Sequence, residues 1–244
     1  MERGHPAPRS QNNRACAKMS SSRERRAILA HARLYGIVDF GYVVETDVEA
    51  VTQSLLNGGA DVIQLRAKGI PLETVSDAAK TMIPLCKAAG IPFILNDYPE
   101  TAAALGADGV HIGQDDGAIA DVRKTVGGAM LIGRSTHSLS QAKQALEEGA
   151  DYIGFGPLFP TPTKAGRAAI GLEEVSKMEA EVGTQLPAFS IGGIKPENLE
   201  MVLKAGARRC VVVSHILLAK DIAAATSQLR CCLYSSAPRR GTAI

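Results

Sequence analysis

Between residues 34 and 213 one pattern recurs eight times: a run of about five mostly apolar residues, a polar or glycine-rich break, and a stretch with helical spacing. The runs are LYGIV (34–38), DVIQL (61–65), PFILN (92–96), DGVHI (108–112), MLIGR (130–134), DYIGF (151–155), PAFSI (187–191) and RCVVV (209–213). Such short, nearly continuous runs suit strands buried on both faces, as in parallel sheets covered by helices. The intervening stretches agree: AVTQSLLNGGA and SQAKQALEEGA place apolar residues at helical spacing and stop at glycine. In KPENLEMVLKAGA, Pro196 and the acid beside it mark a helix start. An open doubly wound sheet has the same local grammar. The count of eight favours a single-domain α/β fold, a (β/α)8 TIM barrel, over residues 28–234.

The flanks differ in kind. Residues 1–27 carry seven Lys/Arg against two acids and few large apolar side chains, which predicts a disordered basic tail. Arg- and Ser-rich, it suits a transit peptide only weakly, because no apolar helix face is evident; Met19 is an alternative start. Residues 235–244 read as a flexible C-terminal tail. No apolar run approaches a membrane span and no secretory signal pattern is evident, so the expectation is a cytoplasmic protein with no membrane partner. Five cysteines without metal-site spacing read as reduced thiols. Net charge of +2, 4% aromatics and no tryptophan argue against a nucleic-acid partner.

Chemistry in such a barrel sits where the strands end. Polar residues follow seven of the eight runs. Gln64, Arg66 and Lys68 alternate after the second, Asn96 and Asp97 follow the third, HIGQDD the fourth and RSTH the fifth. FGPLFPTPTKAG follows the sixth, IGGI the seventh and VVSH the eighth. Arg66, Lys68 and Lys164 repel one another unless an anion lies between them. Asp97 and Asp116 are hard oxygen donors with no His/Cys set beside them, which points to one Mg²⁺ completed by water and phosphate. Together these describe a pyrophosphate pocket. The stiff Pro-Thr-Pro-Thr turn holds Thr161, Thr163 and Lys164 as further donors. A second phosphate pocket is expected at Gly193, where the backbone can approach closely, and at the amides of Val213 and Ser214.

Simpler readings stand beside these. Arg66 and Lys68 suit a solvated strand end paired with Asp61 or Glu73, a Gly-Gly pair is most often a turn, and His111 and His137 suit hydrogen-bonded structural roles. Of Asp115 and Asp116, only one can face the mouth of an extended chain.

QLRAK, NDY, GVHIGQDD, GRSTH, FGPLFPTPTK, SIGGI and VVSHI, in this order, resemble the thiamine phosphate synthase family from about Leu34 to Leu218. The resemblance implies small-molecule substrates, 4-amino-2-methyl-5-hydroxymethylpyrimidine diphosphate and a thiazole monophosphate, joined with release of pyrophosphate. It assigns Gln64, Arg66, Lys68, Asn96, Ser135 and Lys164 to the pyrimidine diphosphate, with Arg66, Lys68, Ser135 and Lys164 catalytic. It assigns Asp97 and Asp116 to Mg²⁺, and Thr161, Thr163, Gly193, Val213 and Ser214 to the thiazole phosphate. The implied chemistry is dissociative, and a homo-oligomer is compatible with it. His215 and Ala67 depart from the family pattern. Rival readings are a thiazole tautomerase using His111 or His137 as base, a non-catalytic barrel that senses thiamine precursors, and a phosphosugar isomerase or epimerase.

Overall fold

The computed structural model describes residues 22–161 and 168–235. Its strands are β1 (Leu34–Asp39), β2 (Val62–Arg66), β3 (Phe93–Asn96), β4 (Gly109–Ile112), β5 (Leu131–Thr136), β6 (Tyr152–Phe155), β7 (Ala188–Ile191) and β8 (Cys210–Val212). They run parallel and close in sequence order, with β8 returning to pair with β1 through Leu34↔Cys210 and Gly36↔Val212. This is the (β/α)8 barrel, and each predicted run is a strand shifted by no more than two residues at either end. The helices are α1 (Ser22–His31), α2 (Val48–Asn57), α3 (Leu72–Ala89), α4 (Pro99–Leu105), α5 (Ile119–Val126), α6 (Leu139–Glu147), α7 (Glu173–Glu181), α8 (Pro196–Lys204), α9 (Ser214–Leu217) and α10 (Ile222–Ser235).

Strand residues are buried on both faces, which is why the runs read as continuous rather than alternating. Outward residues meet the helices. A β-carbon at Gly36 would come 3.2 Å from Leu55 of α2, so the glycine lets that helix approach. Inward residues fill the lumen, where Tyr35, Tyr152 and Phe189 meet with ring centroids 5.3–5.9 Å apart. Gly133 makes room for them, because a β-carbon there would stand 2.1 Å from the Tyr152 ring.

A repeated Gly-Ala-Asp closes three of the units, at 59–61, 106–108 and 149–151. Each glycine has a positive φ (83°, 71° and 83°) as its helix ends, and each alanine is buried. Each aspartate then accepts from amides at the start of the preceding strand. Asp61 takes Arg33 and Leu34 N–H, Asp108 takes Phe93 N–H, and Asp151 takes Ile132 N–H, all at 2.9–3.0 Å. These amides lie at the end of the barrel opposite the strand C-termini.

The same carboxylates explain a correction. Residues 22–27, expected in the disordered tail, belong to α1, because Arg25 pairs with Asp108 at 2.8 Å and Arg26 with Asp151 at 2.6 Å. The helix is stabilised by charges that composition alone assigns to solvent. At the other end Ser235 closes α10; residues 1–21 and 236–244 lie outside the described residues. Among the described residues no helix is long and apolar enough to cross a membrane. Cys86, Cys210 and Cys231 are free thiols, and burial first, then nearby carboxylates, push Cys86 and Cys210 up to about 12.

Asp151 also accepts from Arg123 at 2.6 Å and is nearly fully buried. Asp151→Ala strands the Ile132 amide and two guanidinium groups, and should cost about 3 kcal/mol. A lowered urea midpoint with unchanged slope checks this, and Asp121→Ala, which breaks only an exposed pair with Lys124, should leave the midpoint in place.

Candidate active site

The strand C-termini surround two adjoining cavities that share Gly154, Ile191, Val211 and Val213. Gln64, Arg66, Asn96, His111 and Ser135 line one of them. The other is lined by His137, Thr161, Gly193, Val213 and Ser214. Barrel closure has therefore brought these predicted residues into two neighbouring groups, whereas Lys68, Asp97 and Asp116 line neither cavity. Thr163 and Lys164 lie outside the described residues.

Arg66 ends β2 and donates from Nη1 to Asp39 Oδ2 at 2.8 Å. Neither Asp61 nor Glu73 is its partner; Asp61 is engaged at the far end of the barrel. Asp39 is only 2% exposed, sits at the end of β1, and also accepts from Gly41 N–H through Oδ1. Sequence reasoning missed it because Asp39 meets Arg66 only through the β1–β2 register. Ala67 is buried in the hydrophobic core, so its departure from the family pattern points away from the site. His215 belongs to α9 and lines neither cavity.

Asp97 follows β3 with φ 62°, and Tyr98 follows with φ 54°. Two consecutive non-glycine residues in the left-handed region are strained, a cost that concentrates at functional sites. Asp97 N–H donates to His111 O at 2.8 Å, which fixes the turn. Asp97 Oδ2 stands 3.6 Å from Lys68 Nζ, while Oδ1 is buried with no hydrogen-bond partner among the described residues. Asp116, not Asp115, is the acid that reaches it. Asp116 Oδ2 accepts from Gly113 N–H at 2.6 Å. Its loop is held by Arg134, which donates to Gly117 O at 2.7 Å and Gln114 O at 3.2 Å. Arg134 lay in a quoted motif but carried no signal of this role, since an arginine serving backbone carbonyls looks like any other.

The two carboxyls titrate apart. Burial, and then the charge of Asp116, push Asp97 up against the pull of Lys68. For Asp116 burial also acts upward, but the Gly113 amide, the interaction with Asp97, and the charges of Lys68 and Arg134 together hold it below its ordinary value. A crowded carboxyl pair with one orphaned oxygen fits a hard divalent cation. Among the described residues no three His, Cys, Asp or Glu side chains cluster into a protein-only cage, so such an ion would draw its other oxygens from water and ligand. Asn96 Nδ2 is likewise buried without an acceptor among the described residues.

The second cavity is built around Gly192 and Gly193, whose φ values are 101° and 64°. Close approach is required here, but by protein. A β-carbon on Gly192 would stand 2.4 Å from Pro157, and one on Gly193 would stand 2.8 Å from Phe159. The glycines admit the segment after β6, which is tied down by Leu158 N–H to Ile191 O at 2.8 Å and Phe159 N–H to Gly192 O at 3.1 Å. Among the histidines, both ring nitrogens of His111 lie within hydrogen-bond distance of hydroxyls, and His137 Nδ1 contacts Gly156 O.

A family model described as thiamine monophosphate synthase matches residues 34–216. A thiamine-phosphate synthase of Thermus thermophilus is 45% identical over 207 residues, covering 84% of this chain and 98% of that protein. One from Shouchella clausii is 40% identical over 197 residues, covering 81% and 94%. Among solved structures, a thiamine phosphate pyrophosphorylase from Pyrococcus furiosus is 32% identical and superposes with a TM-score of 0.76 over 88% of this chain and 99% of that one.

Because the folded state raises the Asp97 carboxyl, its ionisation works against folding once the pH passes the ordinary carboxyl range. Asp97→Asn should therefore raise the thermal midpoint in metal-free buffer near neutrality. The gain should shrink as the pH falls toward that range, where the parent carboxyl is protonated in both states. A pH series of melting curves on the two proteins checks the sign.

Proposed function

The chain belongs to the thiamine monophosphate synthase family, and from that premise we propose that it joins 4-amino-2-methyl-5-hydroxymethylpyrimidine diphosphate to a thiazole monophosphate. The products are thiamine monophosphate and pyrophosphate. The observation that carries this reading is the pair of adjoining cavities, one lined by Arg66 and by Asn96, whose neighbour Asp97 pairs with Lys68, and the other lined by glycines and Ser214. A tautomerase or a single-phosphate isomerase leaves the first cavity's charges without a purpose.

In this reading the C–O bond to pyrophosphate breaks with its electron pair on the leaving group, and the thiazole nitrogen then bonds to the pyrimidine carbon. Arg66, oriented by Asp39, meets the negative charge that builds on the leaving oxygens, together with Lys68 and Lys164. Asp97 and Asp116 would hold Mg²⁺, whose contribution is to neutralise further charge on pyrophosphate. Gln64, Asn96 and Ser135 orient the pyrimidine. Thr161, Thr163, Gly193, Val213 and Ser214 hold the thiazole phosphate, which places the nucleophilic nitrogen beside the first cavity. Ile37, Phe189, Ile191 and Val211 line the cavities with apolar surface that excludes water from the cation.

The test is a coupling assay with both substrates, with and without Mg²⁺, following thiamine monophosphate as fluorescent thiochrome. Magnesium-dependent product with equal pyrophosphate is expected; undiminished turnover in EDTA overturns the metal assignment, and no product from either condition overturns the reaction. Ser214→Ala should raise the KM for the thiazole phosphate about tenfold while moving that for the pyrimidine diphosphate little. Equal effects on both would place the second phosphate elsewhere.

A further inference from the structure

The floor of the barrel, at the strand N-termini, carries charges that the proposed reaction does not use. Three units end in a buried alanine followed by an aspartate, and Arg25, Arg26 and Arg123 meet Asp108 and Asp151 among them. At the seam where β8 pairs with β1 the pattern changes sign. Ala32 and Ala207 are buried like the other alanines, but Arg33 follows the first, and Arg208 and Arg209 follow the second. With His31 and Tyr234 these three arginines line an open cavity of about 480 Å³. It shares no residue with either cavity at the mouth.

Backbone carbonyls and one aromatic ring hold the guanidiniums in place. Arg33 Nη1 donates to Leu233 O at 3.1 Å, and its guanidinium carbon lies 5.3 Å from the Tyr234 ring centroid, with Arg230 at 4.4 Å from the same centroid. Arg209 Nη2 donates to Ala30 O at 2.9 Å, while its Nε and Nη1 are buried without a hydrogen-bond partner among the described residues. The carboxylates that reach this group among the described residues are Glu179 of α7 and Asp61. Glu179 accepts from Arg208 N–H at 3.3 Å and stands 3.6 Å from Arg208 Nε. Asp61 accepts from the Tyr234 hydroxyl at 3.0 Å and stands 3.9 Å from Arg230 Nε. Arg33, Arg208, Arg209 and Arg230 therefore outnumber their carboxylates. Burial first, and also the charges of Arg208 and Arg33, hold the Arg209 guanidinium below its ordinary value against the pull of Glu179. Buried donors without acceptors and crowded like charges are both costly, and an oxyanion among them relieves both.

We propose that this cleft is an anion site, separate from the catalytic mouth, that takes a polyphosphate chain, either free or carried by a nucleotide. A guanidinium presents a planar fork of donors that matches phosphate oxygens in pairs. Three such forks at one cavity match an anion with several charges and many oxygens better than a single carboxylate. The Tyr234 ring is already engaged by two guanidiniums, so recognition falls on charge and not on stacking of a base. Because no residue is shared with the mouth, the site stands or falls independently of the coupling reaction.

Titration calorimetry of the full chain in magnesium-free buffer, with tripolyphosphate, ATP and citrate as probes, tests the site. Saturable tripolyphosphate binding that survives Lys68→Ala and weakens as NaCl is added is expected. Arg208→Gln and Arg33→Gln should each lower that affinity about tenfold. ATP bound at least as tightly as tripolyphosphate assigns the site to a nucleotide-borne chain, and weaker ATP binding assigns it to a free one. No saturable tripolyphosphate binding overturns the proposal. Binding that is lost in Lys68→Ala, or unchanged in both arginine variants, puts the anion elsewhere and overturns it too. Citrate held as tightly as tripolyphosphate overturns the choice of phosphate. Arg33 also ties down the end of α10, so should Arg33→Gln fail to fold, Arg208→Gln decides the matter, since the Arg208 side chain is 55% exposed.

Discussion

The pairing of β8 with β1 is the constraint on which the other features depend. Parallel strands closed into a ring bring all their C-terminal ends to one side and all their N-terminal ends to the other. Residues dozens of positions apart thereby become neighbours: Arg66 meets Asp39 and Tyr152 meets His111. The two ends then carry different burdens. At the N-terminal end the amides that open a strand need acceptors, and the Gly-Ala-Asp repeats supply them from the next unit. Those carboxylates in turn attract Arg25, Arg26 and Arg123, so a need of the backbone recruits a helix from outside the barrel.

The mouth shows the opposite economy, in which groups are brought together at a cost to the empty protein. Asp97 sits in a strained turn, close to a second carboxyl, with one oxygen lacking a partner among the described residues. Asn96 buries an amide in the same condition. Unpaired polar groups of this kind are uncommon in folded proteins and are offset by the packing of a rigid scaffold. Asp39 beneath Arg66 and Arg134 beneath the Asp116 loop supply that rigidity. One holds a long side chain and the other a short loop.

Much of this was legible before any coordinates. Eight apolar runs became eight strands because burial on both faces leaves its mark on every consecutive residue. Polar residues after five of those runs, Gln64, Arg66, Asn96, His111, Ser135, His137 and Ser214 among them, line two adjoining cavities because strand C-termini converge in any closed parallel ring. Other features left no local mark. Asp39 ends an apolar run and looks like the edge of a strand until the register sets it beside Arg66. Residues 22–27 share the composition of the tail before them, and their helix depends on aspartates some eighty and more positions away. His111 looked structural, and it is hydrogen-bonded at both nitrogens, but one of its partners is a residue of the candidate site.

The amino-acid sequence by itself determined the repeating unit, the number of units, the parallel sense of the sheet and the kinds of charge at its ends, because periodicity and burial act between near neighbours. Tertiary structure alone decided which charges pair and which of two adjacent aspartates reaches Asp97. Those outcomes depend on distances across the barrel, and no distance across a barrel exists until the last strand has paired with the first.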